Sequence, residues 1–197
     1  ERVPDMYSSV YTTPLKLDAG TVVKCASFVK DMRKGEILTL PLLNNKATGK
    51  HVLSKAPMAY LLTNGVRGSL RQSDFEWCTW DNLNSASFTV DLQQTESVQQ
   101  VLLGCLTNYG MAVHKPKRVI VEVSKDNRTF VQVGQKEFSE AEIFRDGNYV
   151  EDVEFTFKAR KVRYVRVTAE GFGSCPESHY MRPGQPARYY FDELQIR

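Results

Sequence analysis

Ser85-Ala86-Ser87-Phe88-Thr89-Val90-Asp91-Leu92 is the stretch that decides the fold. Ala86, Phe88, Val90 and Leu92 fall on one side of an extended chain, and Ser85, Ser87, Thr89 and Asp91 on the other. Side chains alternate across a strand, so one face of this segment belongs on a core and the other in water. Working outward, the same period of two recurs over 98–106, 118–124, 130–134, 150–157, 161–169 and 189–196, all rich in Val, Phe and Tyr. Lys125-Asp126-Asn127-Arg128 links two of these as a hairpin, with Asp or Asn available for the left-handed position. Only 139–144 reads as helix, where Ser139 followed by Glu142 fits a capping box. Many short strands with almost no helix predict an all-β, antiparallel sandwich or barrel.

The N-terminal part reads differently. Segments 10–17 and 21–28 predict a hairpin around Asp18-Ala19-Gly20, and two strands with a turn cannot bury a core alone. Residues 1–36 are therefore expected to be the torn edge of a small β module or an arm on the main domain. Segment 34–50, with Gly35, Pro41, Asn44, Asn45 and Gly49, reads as a junction, and 42–197 as the main domain. The chain opens at Glu1 with neither an initiator Met nor an apolar signal region, as expected of an excised piece.

Bulk properties narrow the function. Hydrophobic content of 42% and charged content of 25% are globular values, and the length suffices for a core without staples. A net charge of only +3, with the two signs interspersed, argues against a nucleic-acid partner, which needs a concentrated basic face. The longest apolar patch, 101–106, is far too short to cross a bilayer. Cys25, Cys78, Cys105 and Cys175 contain no C-x-x-C pair, which disfavours zinc; disulfide pairing stays open, and three of them read equally as buried small hydrophobes.

Several motifs follow one another in a recognisable order. They are Asn45-Lys46-Ala47-Thr48-Gly49-Lys50, Leu62-Thr63-Asn64-Gly65-Val66-Arg67-Gly68-Ser69, Asp74-x-x-Trp77 and Thr89-Val90-Asp91-Leu92, followed by Pro116-Lys117-Arg118-Val119, the 124–130 hairpin, Arg163-Tyr164-Val165-Arg166-Val167 and the closing Phe191-Asp192-Glu193-Leu194. This series resembles the coagulation factor V/VIII type C (discoidin) domain over residues 42–197. The stretch Gly65–Ser69 and Cys175-Pro176-Glu177-Ser178-His179 resemble the version attached to bacterial β-N-acetylhexosaminidases. Val10–Leu15 with Thr21–Lys24 resembles the end of the chitobiase C-terminal module. Asn64 and Asn127 replace a usual Asp and Gly, Arg188 stands where a Trp is common, and the family's terminal cysteine pair is missing.

The resemblance implies a galactose-binding-like jelly roll related to carbohydrate-binding module family 32. It implies a non-catalytic module at the C-terminus of an exported bacterial glycosidase, whether periplasmic, cell-surface or extracellular. Its expected partners are a hexosamine- or galactose-containing glycan and the catalytic domain of the same chain. The alternative is a structural module with a degenerate site that braces the catalytic domain. Membrane adhesion ranks last, since no loop pairs exposed apolar residues with a Lys/Arg cluster.

Sugar sites combine aromatic walls with a few polar groups. The expected carbohydrate contacts are Trp80, Tyr109, His179, Tyr180 and Arg182. Trp77 reads as a core plug. Trp80, ahead of polar 81–84, stands open between platform and rim packing, and Tyr109 between surface contact and loop packing. His179 reads equally as a hydrogen-bonded structural residue. A structural calcium is implied by the resemblance, with Asn64, Ser69 and Glu193 as oxygen donors; the alternative is that Asn64 and Glu193 hydrogen-bond the loop directly. No carboxylate pair sits in a setting for glycoside hydrolysis. The sequon Asn127-Arg128-Thr129 reads as a turn.

Overall fold

The structure, a computed structural model, describes residues 3–17, 21–41, 43–81 and 85–197. It divides into two compact units, Glu1–Asn44 and Asn45–Arg197.

In the first unit, β1 (Val22–Val29) pairs antiparallel with β2 (Met32–Pro41). The turn falls at Lys30 and Asp31, both at positive φ (48° and 61°), the geometry of a two-residue hairpin turn that matches strand twist. The expected pairing of 10–17 with 21–28 is therefore corrected: 10–17 is not a strand, and the expected turn at 18–20 lies outside the described residues. Residues 34–41, expected to be junction, are strand, because the short turn hands them a partner.

The second unit is a β-sandwich. Its strands are β3 (His51–Leu53), β4 (Cys78–Asp81), β5 (Ser85–Asn108), β6 (Arg118–Ser124), β7 (Val131–Glu137), β8 (Asn148–Glu170) and β9 (Arg188–Ile196). Stretches 85–92 and 98–106, expected to be separate strands, are halves of one bent strand, and so are 150–157 and 161–169. β5 and β8 pair along their whole length, Ser85 with Glu170 and Asn108 with Asn148, with irregularities between Asp91 and Glu96 and between Val98 and Gln100. Gln93 takes a φ of 70° at the bend. On one side of the bend the order is β3-β5-β8-β6-β7; on the other it is β8-β5-β9-β4.

The two layers meet through side chains. Phe88 of the first layer lies 6.3 Å from Phe191 of the second, and Trp80 packs on both. Ala86, Phe88, Val90 and Leu92 are buried as their alternation predicts. Each large apolar side chain buried this way contributes about 1.5–3 kcal/mol. The 125–128 hairpin is present with Asn127 at a φ of 59°, and α1 (Glu140–Ile143) carries the expected capping box between Ser139 and Glu142. Cys78, Cys105 and Cys175 are buried and Cys25 is exposed, all as free thiols. No described helix is long and apolar enough to cross a membrane.

One close approach ties the second layer together. The buried carboxylate of Asp192 on β9 accepts from the Gly68 amide at 2.9 Å and pairs with Arg67 at 2.8 Å. It occupies the space where a Cβ on Gly104 of β5 would fall, 1.7 Å from Oδ1. Gly104→Ala is expected to lower stability by about 1–3 kcal/mol or more through overpacking. A urea melt of the variant checks this, and an unchanged midpoint would contradict it.

Candidate functional site

The bend divides the sandwich into two ends. The end away from it carries loops 109–117, 138–147 and 171–187, which gather around aromatic rings. Tyr109 begins a 3₁₀ turn, Tyr109–Met111, closed by Ala112 in the left-handed conformation. Its amide donates to the Gly147 carbonyl at 3.0 Å, which anchors the loop to the start of β8.

Tyr109 lies flat against His179, with ring centroids 4.2 Å apart and planes 11° apart. Tyr180 packs against both, 5.3 Å and 29° from Tyr109 and 5.8 Å and 18° from His179, so the three rings form one cluster. His179 is buried. Its Nδ1 accepts from the amides of Met181 (3.3 Å) and Arg182 (2.9 Å), so the ring proton sits on Nε2, which donates to the Tyr109 carbonyl at 2.8 Å. This imidazole ties the 171–187 loop to the 109–117 loop and props the Tyr109 ring. Tyr180 is 65% exposed, and Gly110 lies against its hydroxyl. Among the described residues the half-buried Arg182 has no ion-pair partner.

Beneath this cluster His114 packs edge-on against Tyr109, Phe144, Phe172 and His179. Burial pushes His114 down to about 4, only partly offset by its bond to the Ile143 carbonyl. His114, Cys175 and His179 bring ligand-type atoms within 4.8 Å of one another. Every ring nitrogen of the trio already has a hydrogen-bond partner: Ile143 and Cys175 for His114, Tyr109 and the 181–182 amides for His179. These hydrogen bonds account for each ring nitrogen, with the Cys175 thiol as the partner of His114 Nε2.

The structure thus brings together Tyr109, His179, Tyr180 and Arg182 of the expected contacts. Trp80 is the correction. It lies on β4, not in a loop, and is 7% exposed, its ring taken by Phe88 and Phe191. The signal was available in the alternation of Cys78 and Trp80 inward with Thr79 outward, but the polar run after it suggested a loop. Trp77 is the expected plug: it packs with Leu106 and Val113, and its indole donates to the Ser69 carbonyl at 3.2 Å. Sequence reasoning missed the 60% exposure of Met181 beside Tyr180.

The family model "F5/8 type C domain" matches residues 51–180. The chain belongs to the F5/8 type C domain family. Its sandwich is similar to the chitosan-binding module 1 of a chitosanase/glucanase from Paenibacillus sp. IK-5, at 19% identity over 78% of this chain and 98% of that one, with a TM-score of 0.50. Module 2 of the same enzyme, solved with chitotriose, gives 15% identity, 77% and 98% coverage and 0.48. The C-terminal domain of a chitobiase from Bacteroides fragilis gives 17%, 71% and 78% coverage and 0.41. A search of curated proteins finds no match. The F5/8 type C domain is a non-catalytic module.

In this F5/8 type C domain the oxygen donors expected for a calcium are engaged in hydrogen bonds. Glu193 is fully buried, and both its oxygens accept from N–H groups, Oε2 from the Gly65 amide at 2.9 Å and Oε1 from Asn45 Nδ2 at 3.4 Å. Asn64 Oδ1 accepts from the Val66 amide, and its Nδ2 donates to Glu76. The Ser69 amide donates to Asp74, and its hydroxyl accepts from the Arg71 amide. Of the three expected donors only Glu193 is a carboxylate, and with its oxygens so engaged that set falls short of the six to eight oxygens calcium takes. The loop is closed by hydrogen bonds, the alternative read from the sequence, with Asn45 as the added partner; the Asn45–Lys50 motif carried that signal.

Burial pushes the Glu193 carboxyl up to about 8, against the pull of Gly65 and Asn45. A folded-state value above the unfolded one means the native state holds the extra proton, so this group's contribution is present at acid pH and lost as pH rises toward about 8. Glu193→Gln, which stays neutral, is expected to flatten the fall in melting temperature as pH rises toward about 8, from a lower starting value, because its amide NH2 faces an N–H donor where the carboxyl oxygen accepted one. EDTA is expected to leave the parent's melting temperature unchanged. Thermal melts across pH, with and without chelator, test both; a drop with EDTA would restore the cation.

Proposed function

We propose that this domain is a carbohydrate-binding module whose docking surface is the mutually packed cluster of Tyr180, Tyr109 and His179. The observation that carries it is an exposed tyrosine ring backed by a parallel ring and a buried imidazole. Such a ring is immobilised before binding, so it presents an apolar face to the C–H surface of a sugar at little further entropic cost. Arg182, held by the same imidazole through its amide, supplies donors for hydroxyls beside the ring. One stacked ring with a few donors suits a single sugar residue held with a dissociation constant on the order of millimolar to high micromolar.

The parent protein in this reading is an exported bacterial glycosidase of the β-N-acetylhexosaminidase type, and the ligand a hexosamine- or galactose-containing glycan. The ordered motif series, Gly65–Ser69 and Cys175–His179 above all, supports that parentage. Tethering to a glycan would raise the local concentration of substrate for a catalytic domain on the same chain. Met181, exposed beside the cluster, lines the same surface in this reading.

Calorimetry against chitotriose, N-acetylglucosamine, galactose and N-acetylgalactosamine tests the proposal. Tyr180→Ala is expected to weaken binding at least about tenfold, equivalent to roughly 1.4 kcal/mol. The fold should be kept, because the ring is exposed. Trp80→Phe is expected to lower stability while leaving affinity unchanged. No heat from the parent with any sugar would instead favour a bracing module with a degenerate site.

A further inference from the structure

The bend end carries a feature that the aromatic cluster does not use. Between the β6–β7 turn and the bend of β8 lies an open groove of about 440 Å³, with Val123, Val131 and Val162 in its lining and, around them, Ser124, Lys125, Asp126 and Thr129 on one side and Arg160 and Lys161 on the other. Arg128 stands in the same turn and Lys158 in the same bend. All five cations are exposed, and among the described residues none has an ion-pair partner.

That sets them apart from the arginines nearby. Arg163 is bidentate on Asp91 and Arg166 pairs with Glu122. Arg118 pairs with Glu170 and Arg145 with Glu151 at the opposite end. The carboxylate in the groove, Asp126, is committed to the turn: its Oδ1 accepts from the Arg128 and Thr129 amides and from the Ser124 hydroxyl. Clustered like charges on a small, rigid surface repel one another, and an unpaired cluster leaves that repulsion for an anionic partner to relieve.

We propose that this groove is a second glycan-binding site, specific for the anionic groups, carboxylate or sulfate, of an acidic polysaccharide. Its walls rest on paired β-strands and a hydrogen-bonded turn, so the cations project from a fixed frame. The neighbouring Phe130 ring is covered by the Arg166 guanidinium at 3.8 Å, so it offers no face for a nucleic-acid base. Arg160 and Lys161 pair with Val98 and Ser97 on β5, about ten residues from Asn108, which places the groove roughly 30 Å from the aromatic cluster. The two sites are therefore independent, and this one does not require the Tyr180 reading.

Affinity electrophoresis in gels containing heparin or polygalacturonate, at low and raised salt, tests the proposal on the full chain. Retardation that fades with salt is expected in at least one of the two, and which polymer retards distinguishes sulfate from carboxylate. The double variant Arg160→Glu, Lys161→Glu is expected to lose at least about tenfold in affinity, and Lys125→Glu a smaller part. Tyr180→Ala should bind as the parent does. Arg71→Glu, an exposed reversal outside the groove, controls for net charge, and circular dichroism melts confirm that each variant folds. No retardation of the parent by either polymer would overturn the proposal. So would an equal loss in Arg71→Glu, or competition by duplex DNA as effective as by the acidic polysaccharide.

Discussion

The antiparallel pairing of β5 with β8 is the constraint on which the rest of the domain depends. Two strands of 24 and 23 residues run together, bend together and so contribute to both layers. A sandwich usually needs loops to carry the chain between its sheets; here the hydrogen-bonded pair makes the crossing itself. The inward faces of both halves then meet, with Phe88 against Phe191 and Trp80 closing over them. The bend also makes the two ends unlike. Strand termini and long loops gather at one, while a folded-over ribbon and one tight hairpin turn occupy the other.

That difference separates the two chemistries. At the loop end, backbone groups left over from strand termini are satisfied by side chains. His179 is the chief example, since a single imidazole accepts two amides and donates to a carbonyl. A loop pinned this way holds Tyr109 and Tyr180 in register without being part of a sheet. At the bend end the backbone satisfies itself through the ribbon and the Asp126 turn, so the long cationic side chains there have no structural task. Aromatic stacking suits a neutral ring surface, and unpaired cations suit a charged one.

Buried carboxylates show what holding the loops together costs. Asp192 and Glu193 are adjacent on β9 and both fully buried, and burial raises both, to about 6 and about 8. Asp192 has Arg67 and the Gly68 amide as partners. Glu193 has Gly65 and Asn45. Together they clamp the 64–69 loop to the last strand through hydrogen bonds. Gly68 and Gly104 are the residues whose missing side chains make room, the first for the Trp77 indole and the second for the Asp192 carboxylate.

Much of this was legible in the sequence. Period-two alternation over 85–92 and six other stretches determined the all-β class, because burial of one face of a strand leaves a mark at every second residue. Asn127 at a left-handed turn position and the Ser139–Glu142 capping box were equally local, each needing no more than four residues. What the tertiary structure alone decided has a common physical cause. Strand continuity across a bend depends on a partner far along the chain, so β5 and β8 read as four strands. Trp80 was assigned by the polarity of its neighbours, yet its burial depends on Phe88 and Phe191, which β-pairing brings to it. The partners of Glu193 lie 128 and 148 residues away, and the stacking of Tyr109 on His179 spans 70. Local pattern records which face of a segment is apolar; only the folded chain selects which distant groups meet across it.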